Sequence, residues 1–513
     1  MELFESIVAL MGMAVLLLQI SRKFKLPYPS LLALAGIGVA LAPFLPTIVL
    51  DPQLALAIFV TPALFDAAYD TAPRELREHW LPLTMLAVAA VIVTTLTVGT
   101  VGHLMGHLGW AAALTLGAIV SPPDASAVSA VLSRFPLPRR PLLVLEGESL
   151  LNDATALLLF GTFQAFALHG GASIGHTIGG LALAVPGGAL LGYLLGTAFL
   201  RVSRWTSGTL SASVAEIAVT FGAWIVAEQL HVSPILSVVV LAMTIARRTP
   251  SQQPARDRIH SVSLWGGVTF TLGALAFLLL GMQVLDVAQH LGETSLKEAI
   301  LFGFAIFVVT VVTRVVWVFL YRAVAKKPLQ NTDIPVLPAK LSFLVSWCGI
   351  RGILTIATAS ALPADFPSRS MIVFAAFSVV LGTLVVQGFT IGPLVKMLGI
   401  EQDDSLAQEA QEIRKELLTV GIDALQRETT SDAILIRGEL ENALSQAEQK
   451  DFSAESSSID GVRRRLIARQ RRRLIEMRNE GRIPEDAFQL IEEELDWASL
   501  AASPSNDVEL EEI

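Results

Sequence analysis

The residues of this sequence best suited to chemistry are carboxylates in places where carboxylates are expensive. Glu146-Gly147-Glu148-Ser149-Leu150-Leu151-Asn152-Asp153 runs straight into the apolar stretch from Ala154 to Phe160, so its acids are carried inside an apolar run. An ionisable group at the centre of a membrane helix costs roughly 2.5 to 3.5 kcal/mol on insertion scales, and such a group usually faces a cavity or an ion path. On an α-helix Ser149 and Asp153 share a face, as do Glu148 and Asn152. Asp153 with Ser149 therefore offers an oxygen cluster suited to a hard cation. Glu148 points about 140° away from Asp153, towards a different partner, for which Arg351 is the candidate. The plain alternative for Asp153 is an inter-helix hydrogen bond. A carboxylate that holds either a proton or a cation, but never both, couples two gradients when its site opens to one side at a time.

Two interrupted segments supply the other charges. Ser121-Pro122-Pro123-Asp124 removes two successive backbone donors and clashes with the preceding turn, so a helix must break there. In Cys348-Gly349-Ile350-Arg351-Gly352 two glycines flank a charge within an apolar run, which predicts a second break. Paired interruptions of this kind mark the midplane site of transporters built from inverted repeats. If the breaks cross, like helix ends face each other. Asp124 is then placed to offset the positive N-terminal ends and Arg351 the negative C-terminal ends; a plain N-cap for Asp124 and a buried structural cation for Arg351 are the bland readings beside these.

The elements that must position these groups are membrane helices. Of 513 residues, 53% are hydrophobic and 16% charged, and the mean hydropathy is +0.60, far too apolar for an ordinary soluble chain. About thirteen runs approach the roughly 20 apolar residues that a bilayer requires, centred near Val15, Ala40, Phe59, Val91, Gly117, Leu157, Leu190, Val219, Val239, Ala274, Val308, Ile350 and Val380. Basic residues fall in alternate loops: Arg22, Lys23 and Lys25, then Arg74 and Arg77, Arg134 to Arg140, Arg201 and Arg204, Arg247 to Arg258, and Arg322 to Lys327. Lys and Arg accumulate on the cytoplasmic side, which puts the N-terminus outside and the C-terminal tail in the cytoplasm. The first run, from Leu3 to Ile20, lacks a basic leader and a small-residue cleavage site and reads as a retained span.

Beyond about Leu398 the composition changes. Residues 1–400 read as a transmembrane domain and 401–513 as a charged helical cytoplasmic tail, with soluble helices expected from Ser405 to Arg427 and from Gly461 to about Arg478. Arg463, Arg464, Arg465, Arg469, Arg471, Arg472 and Arg473 could meet anionic lipid, or pair with the acids from Glu485 to Glu494. The net charge of -9 owes much to this tail and favours no nucleic-acid partner. One cysteine, Cys348, excludes an intramolecular disulfide and a thiolate metal cluster.

Together these motifs resemble the sodium/proton antiporter family, specifically its prokaryotic monovalent cation:proton branch with Asn-Asp on the sixth helix. Glu148 to Asp153 is similar to the family's most specific motif. Ser121 to Ala125 resembles its unwound helix, and Trp347 to Gly352, with Ala361-Leu362-Pro363 behind, its arginine-bearing broken helix. Gln387-Gly388 resembles the last span, and Arg463 to Leu495 the helical tails of bacterial members. The resemblance implies an all-α fold of inverted repeats with two crossed discontinuous helices, a homodimer, and a core that moves like an elevator. It also implies electroneutral exchange, because Asn152 precedes the key acid. Asp153 would carry Na+ (or Li+ or K+) and H+, with Ser149 a further ligand, Asn152 and Asp124 the supporting network, Asp66 an assisting acid, and Glu148 paired with Arg351. Where many members have Thr-Asp-Pro this chain has Pro123-Asp124-Ala125, so backbone around Ser121, Pro122 and Pro123 would have to serve. No cofactor is implied, and the tail would bind a regulator or anionic lipid.

Competing classes are less well served. A channel or a symporter on the same scaffold, or a K+/H+ exchanger, would share the breaks. An intramembrane enzyme would need a Ser-Lys pair, paired aspartates or a zinc helix, and a signalling receptor would need a motif that the tail lacks. His103 and His107 lie four apart but have no third ligand. Glu216 and Arg314, also inside apolar runs, could line a cation entrance or pair with headgroups.

Overall fold

The computed structural model describes residues 2–24, 26–41, 52–71, 84–132, 139–169, 174–209, 211–252, 254–289, 291, 296–325, 338–400, 405–448, 458–480, 482 and 485–501. Among them all regular structure is helical. The chain divides into two compact units, Met1–Gln402 and Asp403–Glu512.

In the first unit the helices run α1 (Glu2–Phe24), α2 (Tyr28–Ala40), α3 (Thr61–Asp70), α4 (Ala90–Gly106), α5 (Trp110–Val120), α6 (Ala125–Leu132), α7 (Arg139–His169) and α8 (Ile174–Thr206). They continue as α9 (Ser211–Gln229), α10 (Pro234–Gln252), α11 (Ala255–Gln289), α12 (Leu296–Ala325), α13 (Ala339–Trp347), α14 (Ile353–Ser360), α15 (Arg369–Gly382) and α16 (Gly388–Leu398). Wide π turns at Leu56–Val60, Met85–Ala89 and Thr383–Gln387 lead into α3, α4 and α16. Every apolar run singled out above holds helix, though α2 lies ahead of its expected centre near Ala40, because Pro27 and Pro29 start it early. Seven described stretches are long and apolar enough to cross a bilayer. The two interrupted segments are not among them: the prolines cut α5 from α6, and the Gly349–Gly352 stretch cuts α13 from α14.

Helix α12 shows how sequence period sorts its faces. Ile300, Phe304, Val308, Val312, Val316 and Leu320, four apart, are exposed large hydrophobics, as befits a lipid-facing stripe. Phe302, Ile306, Thr310, Arg314 and Val318, on the other side, are buried. Inward packing relies on small residues. In lipid no hydrophobic force draws helices together, so close backbone approach supplies dispersion. Gly188, Gly192 and Gly196 of α8 let α10 in so closely that a Cβ at any of them would strike Ser233, Ser237 or Thr244. Gly36 of α2 and Gly281 of α11 likewise meet backbone to backbone.

The second unit holds α17 (Ser405–Leu425), α18 (Ser431–Glu448), α19 (Ser458–Asn479) and α20 (Glu485–Ala501). Helix α17 packs on α18 and α19 on α20. Part of the arginine run is paired within this unit: Arg471 with Asp496, Arg473 with Glu476 and Glu480, and Arg463 with Glu439, while Arg478 lies over the Phe488 ring.

Candidate functional site

The two breaks cross. The backbone N–H of Asp124 donates to the Ile350 carbonyl at 2.7 Å, joining one interruption to the other at its centre. Half-helices α6 and α14 both begin at this point and both present unsatisfied N–H groups. Asp124 meets both: Oδ1 accepts from Ala127 N–H of α6 at 3.3 Å and Oδ2 from Ile353 N–H of α14 at 3.2 Å. One carboxylate thus caps two helix ends whose partial positive charges would otherwise face each other. Gly352 makes room for it, since a Cβ there would fall on the Asp124 carboxylate.

The opposite ends converge on Arg351, which is 1% exposed. Its Nε donates to the Val120 carbonyl at 3.0 Å, its Nη2 to Ser121 O at 3.3 Å and its Nη1 to Gly349 O. These acceptors include the terminal carbonyls of α5 and the chain just beyond α13. The arginine's own backbone N–H donates to Thr383 Oγ1 at 3.0 Å, at the start of the third π turn.

Helix α7 passes this crossing. Asn152 is fully buried; its Nδ2 donates to the Pro123 carbonyl at 3.4 Å, while its Oδ1 is buried with no hydrogen-bond partner. Asp153, next along, is half-buried and within electrostatic range of Asp124; among the described residues no cationic side chain pairs with it. Asn152 and Asp153 therefore bring uncommitted oxygen to the place where two helices are unwound. The Ser149 backbone is helical, but its side chain lies outside the described residues. Asp66 is half-buried on α3, directly after the buried Phe65. Pro122 and Pro123 are buried at the break, and Ser121 Oγ turns back to Ala118 O at 2.9 Å. Of the backbone expected to serve a cation around Ser121, Pro122 and Pro123, the Ser121 carbonyl accepts from Arg351 and the Pro123 carbonyl from Asn152 Nδ2.

One expected pair is corrected. Glu148 does not pair with Arg351; both its oxygens are taken by Arg314 of α12, Nη1 to Oε1 at 2.5 Å and Nη2 to Oε2 at 2.9 Å. The reason is supply and demand: Arg351 is spent on helix-end carbonyls, whereas Arg314 sits on the inward face of α12 with a fork matched to a carboxylate. Arg314 also reaches the Val345 carbonyl of α13 at 3.5 Å. At 4% exposure it cannot serve lipid headgroups. The α12 period, which puts Arg314 in register with Ile306 and Thr310, is the signal that would have found it.

A family model for the transmembrane part of sodium/hydrogen exchangers matches residues 8–397. Among curated proteins, an uncharacterized Na+/H+ exchanger of Mycobacterium bovis is 27% identical over 98% of this chain and 97% of its own length. A sodium, potassium, lithium and rubidium/H+ antiporter of Bacillus pumilus is 28% identical over 84% of this chain and 67% of its own. Of solved structures, the sodium proton antiporter MjNhaP1 of Methanocaldococcus jannaschii aligns with a TM-score of 0.59 at 18% identity, covering 76% of this chain and all of that one, which is a likeness of fold.

Proposed function

Because this chain belongs to the sodium/hydrogen exchanger family, a family of multi-pass cation/proton antiporters, we propose that it exchanges one monovalent cation, Na+ in the first instance, for one proton, with Asp153 as the carrier. The observation that carries this reading is an Asp153 carboxylate with no cationic partner among the described residues, next along the chain from the unsatisfied Asn152 Oδ1, at the crossing of two broken helices. With a proton on it, the acid is neutral and needs no partner. Deprotonated, it attracts a hard cation, for which Asn152 Oδ1 and Ser149 are further oxygen donors. The proton and the cation compete for the same charge, so one leaves as the other binds. Asn152 is uncharged, leaving a single titrating acid and hence an electroneutral cycle. Asp124 and Arg351 hold the unwound helices open around it, and Asp66 assists from α3.

Alternating access then comes from an elevator-like displacement of the site-bearing helices within a homodimer of thirteen-span protomers. The alternation of basic loops supports an outside N-terminus and a cytoplasmic tail, residues 401–513, that regulates the membrane domain. A second reading, K+/H+ exchange, draws support from the breadth of cations named for the Bacillus pumilus relative. The test is proton movement driven by Na+, K+ or Li+ in proteoliposomes, comparing the wild type with Asp153→Asn. Cation-dependent proton movement should vanish in the variant for every cation; its persistence at the wild-type rate would sink the proposal.

A further inference from the structure

A second acid lies buried in the membrane unit, and the exchange cycle above does not use it. Glu216, a turn and a half into α9, is 4% exposed. Among the described residues no Arg, Lys or His pairs with it. Its Oε2 accepts a hydrogen bond from Ser261 Oγ of α11 at 2.7 Å, and Ser261 is itself 7% exposed. One turn along α11, the Trp265 indole N–H lies close to the same carboxyl without closing a hydrogen bond. An intramembrane acid with no counter-charge is costly as an anion, so it carries a proton or receives a cation from solution.

The surroundings link this acid to the crossing. Ser261, Trp265 and Thr269 follow at four-residue spacing and share one face of α11. Trp265 stacks on Phe65 of α3 with ring centroids 4.4 Å apart. Phe65 and Trp265 belong to the same buried cluster as Ala154, the neighbour of Asp153, and Leu354, the neighbour of the Asp124-capped Ile353. The hydroxyls of Thr269 on α11, Thr61 on α3 and Thr355 on α14, helices that contribute to this cluster, are buried with no hydrogen-bond partner.

We propose that Glu216, with Ser261 Oγ, forms a second binding site for the transported monovalent cation, on the route to Asp153 from the end of the protein where α9 begins. The proposal rests on the antiport reading and deepens it. A carboxylate and a hydroxyl are the hard oxygen donors that such a cation takes, and the site gathers cations before they reach the exchange acid. A purely structural Glu216 would tie α9 to α11 through Ser261, and a glutamine would preserve that tie because its amide oxygen accepts the same bond.

The experiment uses the full chain in proteoliposomes and in detergent. In exchange assays Glu216→Gln should raise the apparent KM for Na+, and for K+ measured in parallel, by about tenfold, the loss expected for one charge-to-ion contact. Radioactive Na+ binding to Asp153→Asn should leave a residual component that disappears in the Asp153→Asn/Glu216→Gln double variant. An unaltered KM, or equal residual binding with and without Glu216→Gln, overturns the second site. If Glu216→Gln does not fold, Ser261→Ala takes its place in both measurements, with the same direction expected and the same null overturning the proposal. Undiminished exchange by Asp153→Asn would instead remove the antiport reading itself, so the two failures are told apart.

Discussion

Two of the acids on helix α7, Glu148 and Asp153, stand five residues apart, and the protein treats them in opposite ways. Glu148 has both oxygens occupied by the Arg314 fork, away from solvent. Asp153 has no cationic partner among the described residues and stands at the unwound crossing. The difference teaches that an acid's role in a membrane is set by what has been given to it. A carboxylate supplied with a matched guanidinium is a fixed joint between helices, whereas one left with an unsatisfied amide oxygen beside it retains a charge to trade.

That contrast can be broken from either side. The largest effect on function is expected at Asp153: Asp153→Asn abolishes exchange while the thermal unfolding midpoint of the purified protein stays the same or rises, since a carboxylate with no cationic partner among the described residues adds no cohesion through an ion pair. A large fall in that midpoint would show that Asp153 is a joint as well. The largest effect on stability is expected at the fixed pair. Arg314→Ala leaves Glu148 buried and uncompensated, a loss of about 3 to 5 kcal/mol, read as a sharp drop in detergent-stable protein. The double variant Glu148→Leu/Arg314→Met should recover much of it, because a buried ion pair replaced by apolar groups is often neutral.

Gly352→Ala sharpens the comparison at the crossing itself. Its methyl would displace the Asp124 carboxylate and weaken two helix caps, costing about 1 to 2 kcal/mol and slowing exchange while the Glu148–Arg314 pair is kept; wild-type exchange by this variant would contradict the double-cap geometry. The smallest effect is expected in the tail. Arg471→Ala removes an exposed pair with Asp496 and should shift stability by less than about 1 kcal/mol, within error in a thermal scan.

Much of this arrangement is legible in the residues alone, for reasons that are local. Two prolines in succession break a helix wherever they occur, and a break creates helix ends that require charges, so Asp124 and Arg351 can be placed from their positions within the interrupted segments. The buried acids of α7 are legible because membrane insertion makes them costly. The partner of Glu148 is not local: it depends on which helix packs alongside, and Arg314 lies 166 positions away. The unsatisfied Asn152 Oδ1 is equally out of reach, since it depends on the Pro123 carbonyl turning Nδ2 towards itself and on no donor packing against the other side of the amide. In the tail, α17 and α19 fall on the helical stretches expected from Ser405 to Arg427 and from Gly461 to about Arg478, while α18 and α20 lie outside any stretch the apolar spacing singled out.

The glycine contacts between α8 and α10, and between α2 and α11, bear on motion. Where backbones touch, no side-chain layer remains to act as a bearing, and a small slip would drive carbonyl into Cα. Each couple is therefore expected to move as one piece, so a cysteine cross-link within a couple should leave exchange unimpaired. On the elevator-like reading proposed above, the slip plane would run between such couples, through surfaces padded by longer side chains.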